Sequence, residues 1–134
     1  MQLMATTDYA IRMILYLATV GRKASSAEIA EKMEVPRKYL INITRSLREA
    51  GLIRTQMGVN GGYSLAKEPA EISLLDITAA MEGTMKINRC LEEDAYCNRF
   101  ATEHCPVRKC YTMIQREIEE KLGAISIARL LQEA

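Results

Sequence analysis

The chain has 134 residues, nearly half of them apolar and about a quarter charged, a balance that suits one folded domain with a real core and excludes a disordered chain. No apolar run approaches the roughly 18 residues of a membrane helix, so no membrane partner is expected. The net charge of +1 hides an uneven distribution: residues 36–67 hold six basic side chains (Arg37, Lys38, Arg45, Arg48, Arg54, Lys67) against one acid, Glu49, and such a region points to a polyanion.

In chain order, Tyr9, Met13, Tyr16, Leu17 and Val20 recur at helical spacing and predict a helix over about 3–20, ended by Gly21. Asp8 and Arg12 interrupt its apolar run, which argues against a cleaved signal peptide and for a cytoplasmic protein. "SSAEIAEKM" opens on a capping box, Ser25 with Glu28, and predicts a second helix over 26–33. After a short link, Pro36 is expected at the first position of a third helix, with Leu40, Ile43, Leu47 and Ala50 inward and Gly51 as the stop. Two short helices joined so tightly read as a helix-turn-helix.

The period then changes. "LIRT" and "YSLA" are strand-like runs around "QMGVNGG", where Asn60-Gly61 predicts a hairpin turn with positive φ. The glycine spacing matches no phosphate-binding loop. A hairpin directly after a helix-turn-helix is a wing. Ser73 with Asp76 caps a fourth helix reaching about Gly83. The segment from Met85 to Cys105 lacks periodicity and reads as loop. Pro106 begins a long last helix with a stripe of Val107, Cys110, Tyr111, Ile114, Ile118 and Leu122; Gly123 is expected to break it, and Ser126 to cap a final turn. The fold class is mainly α: a winged helix-turn-helix with a two-stranded wing and a long C-terminal helix.

Arg37, Lys38, Asn42, Arg45 and Arg48 lie off the apolar stripe of the third helix, and Thr44 and Ser46 are further candidates to reach phosphates. Arginine can grip guanine and asparagine adenine through two hydrogen bonds each, while both basic residue types neutralise phosphate. With Arg54 and the wing residues Asn60 and Gly61, they form the expected interface with double-stranded DNA. An enzyme is not expected: one histidine and no C-x-x-C leave neither a nucleophile–base set nor a dithiol exchange site.

"TTDYAIRMILYLA", "YLINITRSLREAGLIRTQMGVNGGYSLAK" and "ISLLDITAAMEG", followed by a cysteine-rich loop, resemble the Rrf-type winged-helix transcriptional regulators, the group that includes IscR, NsrR and RirA. The resemblance covers nearly the whole chain, and "REAGLI…GGYSLAK" is its most specific part. It implies a homodimer joined through the long C-terminal helix, with two winged helices on a near-palindromic operator. It divides the chain into a DNA-binding region (1–83), a cysteine-rich sensor loop (84–105) and a dimerisation helix with a terminal turn (106–134).

All four cysteines fall between Cys90 and Cys110, spaced Cys-x6-Cys-x7-Cys-x4-Cys. The close C-x2-4-C knuckle of most structural zinc sites is missing, and disulfides are rare in a reducing compartment. Thiolates on an irregular loop suit an iron–sulfur cluster, and the resemblance implies that Cys90, Cys97 and Cys105 ligate one, 2Fe–2S or 4Fe–4S. The gaps here are longer than in the commonest members. For the fourth ligand, Asp8 matches the place where nitric-oxide-sensing relatives use an aspartate of the partner's first helix. Cys110 is the softer alternative, although its place on the apolar stripe also reads as a buried free thiol. IscR's histidine ligand corresponds to Arg108, a departure from that ligand set; His104, the only histidine, reads as an exposed loop residue. The expected function is a repressor whose operator affinity follows a cluster sensing nitric oxide, oxygen or iron. A cluster-free thiol-based regulator and a zinc-structured one of the same fold are the alternatives.

Overall fold

The computed structural model describes residues 1–134. Helix α1 (Ala5–Val20) ends where Gly21 takes up φ 62°, its N–H returning to the Leu17 carbonyl, the left-handed termination that glycine adopts without a Cβ penalty. Its buried face is Thr7, Ala10, Met13, Ile14 and Leu17, while Tyr9, Tyr16 and Val20 sit at its flanks. The inward face is therefore rotated from the one expected, short Thr7 and Ala10 being buried while the larger Tyr9 and Tyr16 stay at the edge of the core.

Helix α2 (Ser26–Met33) is capped by the Ser25 hydroxyl, which accepts the Glu28 N–H. The reciprocal half of the expected box is absent. The Glu28 carboxylate instead accepts the Tyr16 hydroxyl (2.5 Å) and pairs with Arg22 (2.7 Å), tying α2 to α1. Glu34 closes α2 at φ 53° and buried Val35 anchors the turn. Pro36 stands at the N-cap, one residue before helix α3 (Arg37–Glu49), and not at the first helical position as expected. Either place suits a residue that cannot donate. Leu40, Ile43 and Leu47 seat α3 on α1; Ile43→Ala would cost about 2–5 kcal/mol.

Strands β1 (Ile53–Gln56) and β2 (Gly62–Leu65) form an antiparallel hairpin, Ile53 opposite Leu65 and Gln56 opposite Gly62. Asn60-Gly61 does not supply the positive φ; Gly58 does, at φ 106°. Five residues separate the strands, so the tight two-residue turn that would use Asn-Gly is not formed. The other edge of β2 is covered by Ala24, whose N–H and C=O both pair with Tyr63. A Cβ on Gly62 would lie 2.5 Å from the Ala24 carbonyl oxygen, so that close approach requires glycine.

Helix α4 (Leu74–Met81) carries the full reciprocal box expected: Ser73 Oγ accepts from Asp76 N–H (3.1 Å), and the Asp76 carboxylate accepts from Ser73 N–H (2.8 Å). Helix α5 (Pro106–Ala124) runs through Gly123, which the expectation had as its end. Gly123 lies against Leu75 of α4, and that packing outweighs roughly 1 kcal/mol of poor helix propensity. Ser126 then caps helix α6 (Ile127–Glu133) by accepting from Arg129 N–H. The chain returns to the head there: Ile127 N–H donates to Ile72 and Leu74 N–H to Ile125. Buried Ile127 joins the same core as residues of α1, α2, α3 and α4. Short 3-10 turns at Pro69–Glu71 and Arg89–Leu91 complete the chain. No helix is long and apolar enough to cross a membrane.

Candidate functional sites: a basic helix face and a cysteine-lined cavity

Leu40, Ile43, Thr44 and Leu47 face the core, so the opposite side of α3 is thrown outward. Arg37, Lys38, Asn42, Arg45 and Arg48 are all exposed there. Lys38 lies 5.0 Å over the Tyr39 ring, which stacks at 5.7 Å on Tyr9 of α1, so the start of the helix is braced from beneath. Thr44 departs from expectation. It is buried, and its hydroxyl donates back to the Leu40 and Ile41 carbonyls, leaving it unable to reach a phosphate. Arg54 and Asn60 are exposed on the wing, whereas Gly61 is half-buried; a Cβ there would meet the Gln56 carbonyl oxygen at 2.4 Å. Gly61 therefore shapes the wing. Between wing and helices runs a groove of about 410 Å³ that brings Arg37, Ser25 and Ser26 opposite Thr55, Met57 and Val59.

The second site lies at the other end of the chain. Cys90, Cys97 and Cys105 line one cavity of about 290 Å³, together with Tyr96, Arg108 and Tyr111. All four cysteines are free. No three Cys, His, Asp or Glu side chains converge tightly enough for a single metal ion; the thiols ring a space instead. Cys97 carries the most telling electrostatics. Backbone N–H groups of Ala101 and Arg99 hydrogen-bond its sulfur and hold its pKa below the usual thiol range, with the Arg99 charge adding to the effect. Phe100, at φ 53°, makes the turn that aims them, its own N–H closing on the Cys97 carbonyl. A left-handed non-glycine backbone is costly and persists where its surroundings hold it.

The loop is held to α5 at points that the sequence did not reveal, among them an ion pair between Lys86 and Glu119 at 3.1 Å. The Arg108 guanidinium donates to the Cys90 carbonyl (3.0 Å). Gln115 is the buried residue of α5: its carbonyl oxygen accepts from Ile87 N–H (2.9 Å), and its amide donates to the Met85 carbonyl and to Glu119 (both 2.9 Å). Gln115 and Lys86 together lower the pKa of Glu119. A lone amide beside an apolar stripe was the available signal. Within the loop Arg89 grips Asp94 through both terminal nitrogens and covers the Tyr96 ring. At its N-terminal end, Glu82 accepts from Met4 N–H and the Thr7 hydroxyl (both 2.8 Å), capping α1, which has no side-chain cap of its own.

Neither candidate fourth ligand lines the cavity. Asp8 is exposed on α1 and paired with Arg12 at 2.8 Å. Cys110 is exposed, contrary to its reading as a buried thiol. The stripe it shares divides: Tyr111, Ile118 and Leu122 are partly covered, but Val107 and Ile114 stay 52% and 46% exposed. The loop covers only one side of it. His104 is exposed, as expected.

A family model described as "Rrf2: Iron-dependent Transcriptional regulator" matches residues 3–133. Protein rrf2 of Nitratidesulfovibrio vulgaris is 32% identical over 136 aligned positions, covering 100% of this chain and 89% of that protein. The HTH-type transcriptional regulator NsrR of Shouchella clausii is 36% identical over 96, covering 70% and 64%. Among solved structures, T. potens IscR superposes with a TM-score of 0.76 at 26% identity, covering 99% of this chain and 88% of that one. CymR of B. subtilis, a global cysteine regulator, superposes at 0.79 over 100% and 98%, its 24% identity supporting the fold alone. Family and relatives are transcriptional regulators, not enzymes. With its wing, its outward basic helix and a family match over nearly its whole length, this chain belongs to the Rrf2 family of winged-helix, DNA-binding transcriptional regulators.

Proposed function

We propose that the protein is a homodimeric repressor that grips a near-palindromic operator and whose affinity is set by an iron–sulfur cluster held by Cys90, Cys97 and Cys105. The observation that carries this reading is the gathering of three thiols, separated by six and seven residues in sequence, around one cavity. The donor set fits the group: thiolates are its usual ligands, and Cys97 is held toward the thiolate by backbone N–H groups. Asp8 of the partner subunit is the preferred fourth ligand, since it is exposed and held only by a surface pairing with Arg12 that ligation would replace; Cys110 is the alternative. When bound, such a group supplies a centre that reacts with nitric oxide or oxygen or responds to iron supply.

The protein's own residues carry the state of the loop to the DNA-binding head. Thiols held together fix the loop from Cys90 to Cys105; free thiols leave it fastened by Arg108 and Gln115. The same segment begins at Glu82, which caps α1, and α1 is the helix on which α3 packs. A shift in the loop therefore has a short physical path to Arg37, Lys38, Asn42, Arg45 and Arg48, with Arg54 and the wing moving alongside. On the DNA, the exposed Arg37, Lys38, Asn42, Arg45, Arg48 and Arg54 supply donors to base edges and phosphates, while Asn60 and Gly61 set the wing's approach.

A thiol-based regulator without a cluster is the second reading, favoured by the lowered pKa of Cys97 and the exposure of Cys110. Protein purified without oxygen decides between them. Visible absorption with matching iron and acid-labile sulfide, and operator affinity at one salt concentration that changes after chelation, is the expected result. A sample still colourless after reconstitution, or equal affinity with and without the group, overturns the cluster reading.

A further inference from the structure

We infer that Ile41 reads a thymine methyl group in each operator half-site; this rests on the DNA-binding reading above. Ile41 is 69% exposed on α3, while the other large aliphatic residues of that helix, Leu40, Ile43 and Leu47, are at most 3% exposed. It therefore plays no part in seating the helix. Arg37 and Arg45 lie one turn before and one turn after it, on the same face, and Lys38 and Asn42 flank it; all four are exposed. One aliphatic side chain thus stands at the centre of a polar, cationic surface.

The charge around Ile41 selects its occupant. An apolar protein surface covering it would have to strip water from the guanidinium groups on either side without pairing them, a heavy cost. Double-stranded DNA pairs them, because phosphates and guanine edges accept from arginine. Within the major groove all four bases present hydrogen-bonding groups, and thymine alone adds a methyl group. A polar base edge facing Ile41 would lose its water and gain no partner. A methyl group there buries apolar surface on both sides. Isoleucine suits the role because β-branching limits it to few χ1 rotamers, holding its methyl groups at a defined place.

The energetic scale is set by one buried methyl group, ~0.8 kcal/mol or about fourfold in affinity for each half-site. The test begins with selection of a bound duplex from a random library by the full chain. Each thymine of that duplex is then replaced by deoxyuridine, which removes the methyl group and leaves pairing intact. One position per half-site is expected to weaken binding about fourfold for the unchanged protein and not for Ile41→Ala, whereas Arg45→Ala retains the sensitivity. Circular dichroism checks that Ile41→Ala is folded, and Ile41→Val, which keeps β-branching, is expected to keep most of the effect. Insensitivity at every thymine, or equal sensitivity in Ile41→Ala, overturns the assignment while DNA binding stands. Failure to enrich any duplex removes the DNA reading itself, and this inference with it.

Discussion

Glu28 shows how one side chain serves two elements. Its carboxylate accepts from Tyr16 and pairs with Arg22, and these two groups, Arg22 first, lower its pKa from 4.5 to about 2. A carboxyl held below its ordinary value stabilises the fold fully above that value and loses the contribution as pH falls toward the folded one. The melting temperature of the native protein should therefore exceed that of Glu28→Gln by a constant margin above about pH 5. The margin should shrink between pH 4.5 and 2. Thermal melts of both proteins across that range check this; a margin independent of pH would show that the pair contributes nothing. Because Arg22 is exposed and Glu28 only half-buried, the margin should also narrow in high salt. The same residue shows a limit of sequence reading. Ser25 with Glu28 was legible as a capping pair, but Tyr16 and Arg22 compete for the carboxylate, and only the packing of α1 on α2 brings them within reach.

At the scale of an element, α5 has two jobs on adjacent faces. Its inward face, Arg108, Tyr111, Gln115 and Ile118, fastens the cysteine loop, while its outward stripe at Val107 and Ile114 is left open. Gln115→Leu keeps the side chain's size but strands the Ile87 N–H and the Met85 carbonyl, at a cost of about 1–3 kcal/mol. Hydrogen exchange at residues 84–90 should accelerate in that variant while α1 and α3 keep their protection; unchanged exchange there would refute the fastening role. The helix itself was legible from Pro106 and the apolar spacing. Its end was not, since Gly123 reads as a stop until Leu75 is seen against it.

For the whole molecule, the open stripe of α5 matters because a monomer leaves Val107, Met113 and Ile114 at 46–63% exposure. An apolar surface of this kind, adjoining the cysteine loop, is where a second copy is expected to pack. Ile114→Glu should convert a dimer to a folded monomer in sedimentation equilibrium and lower operator affinity by about 10²–10⁴-fold, the gain that linking two half-site contacts provides. A native protein that sediments as a monomer would refute the arrangement.

The sequence by itself determined the helix-turn-helix, the wing, the cap at Ser73 and the segregation of basic residues, because these depend on neighbours within a few positions: periodicity, hydroxyl caps and charge along one helix. It also showed that the cysteines cluster, as spacing is a property of the chain. The tertiary structure alone decided that Cys90, Cys97 and Cys105 share a cavity from which Cys110 and Asp8 are absent, and that Thr44 is buried. It placed α6 on the head and set Gln115, Arg108 and Glu82 at the joints between loop and helix. Each of those outcomes depends on hydrogen bonds or packing between residues far apart in sequence, where local periodicity carries no information about partners.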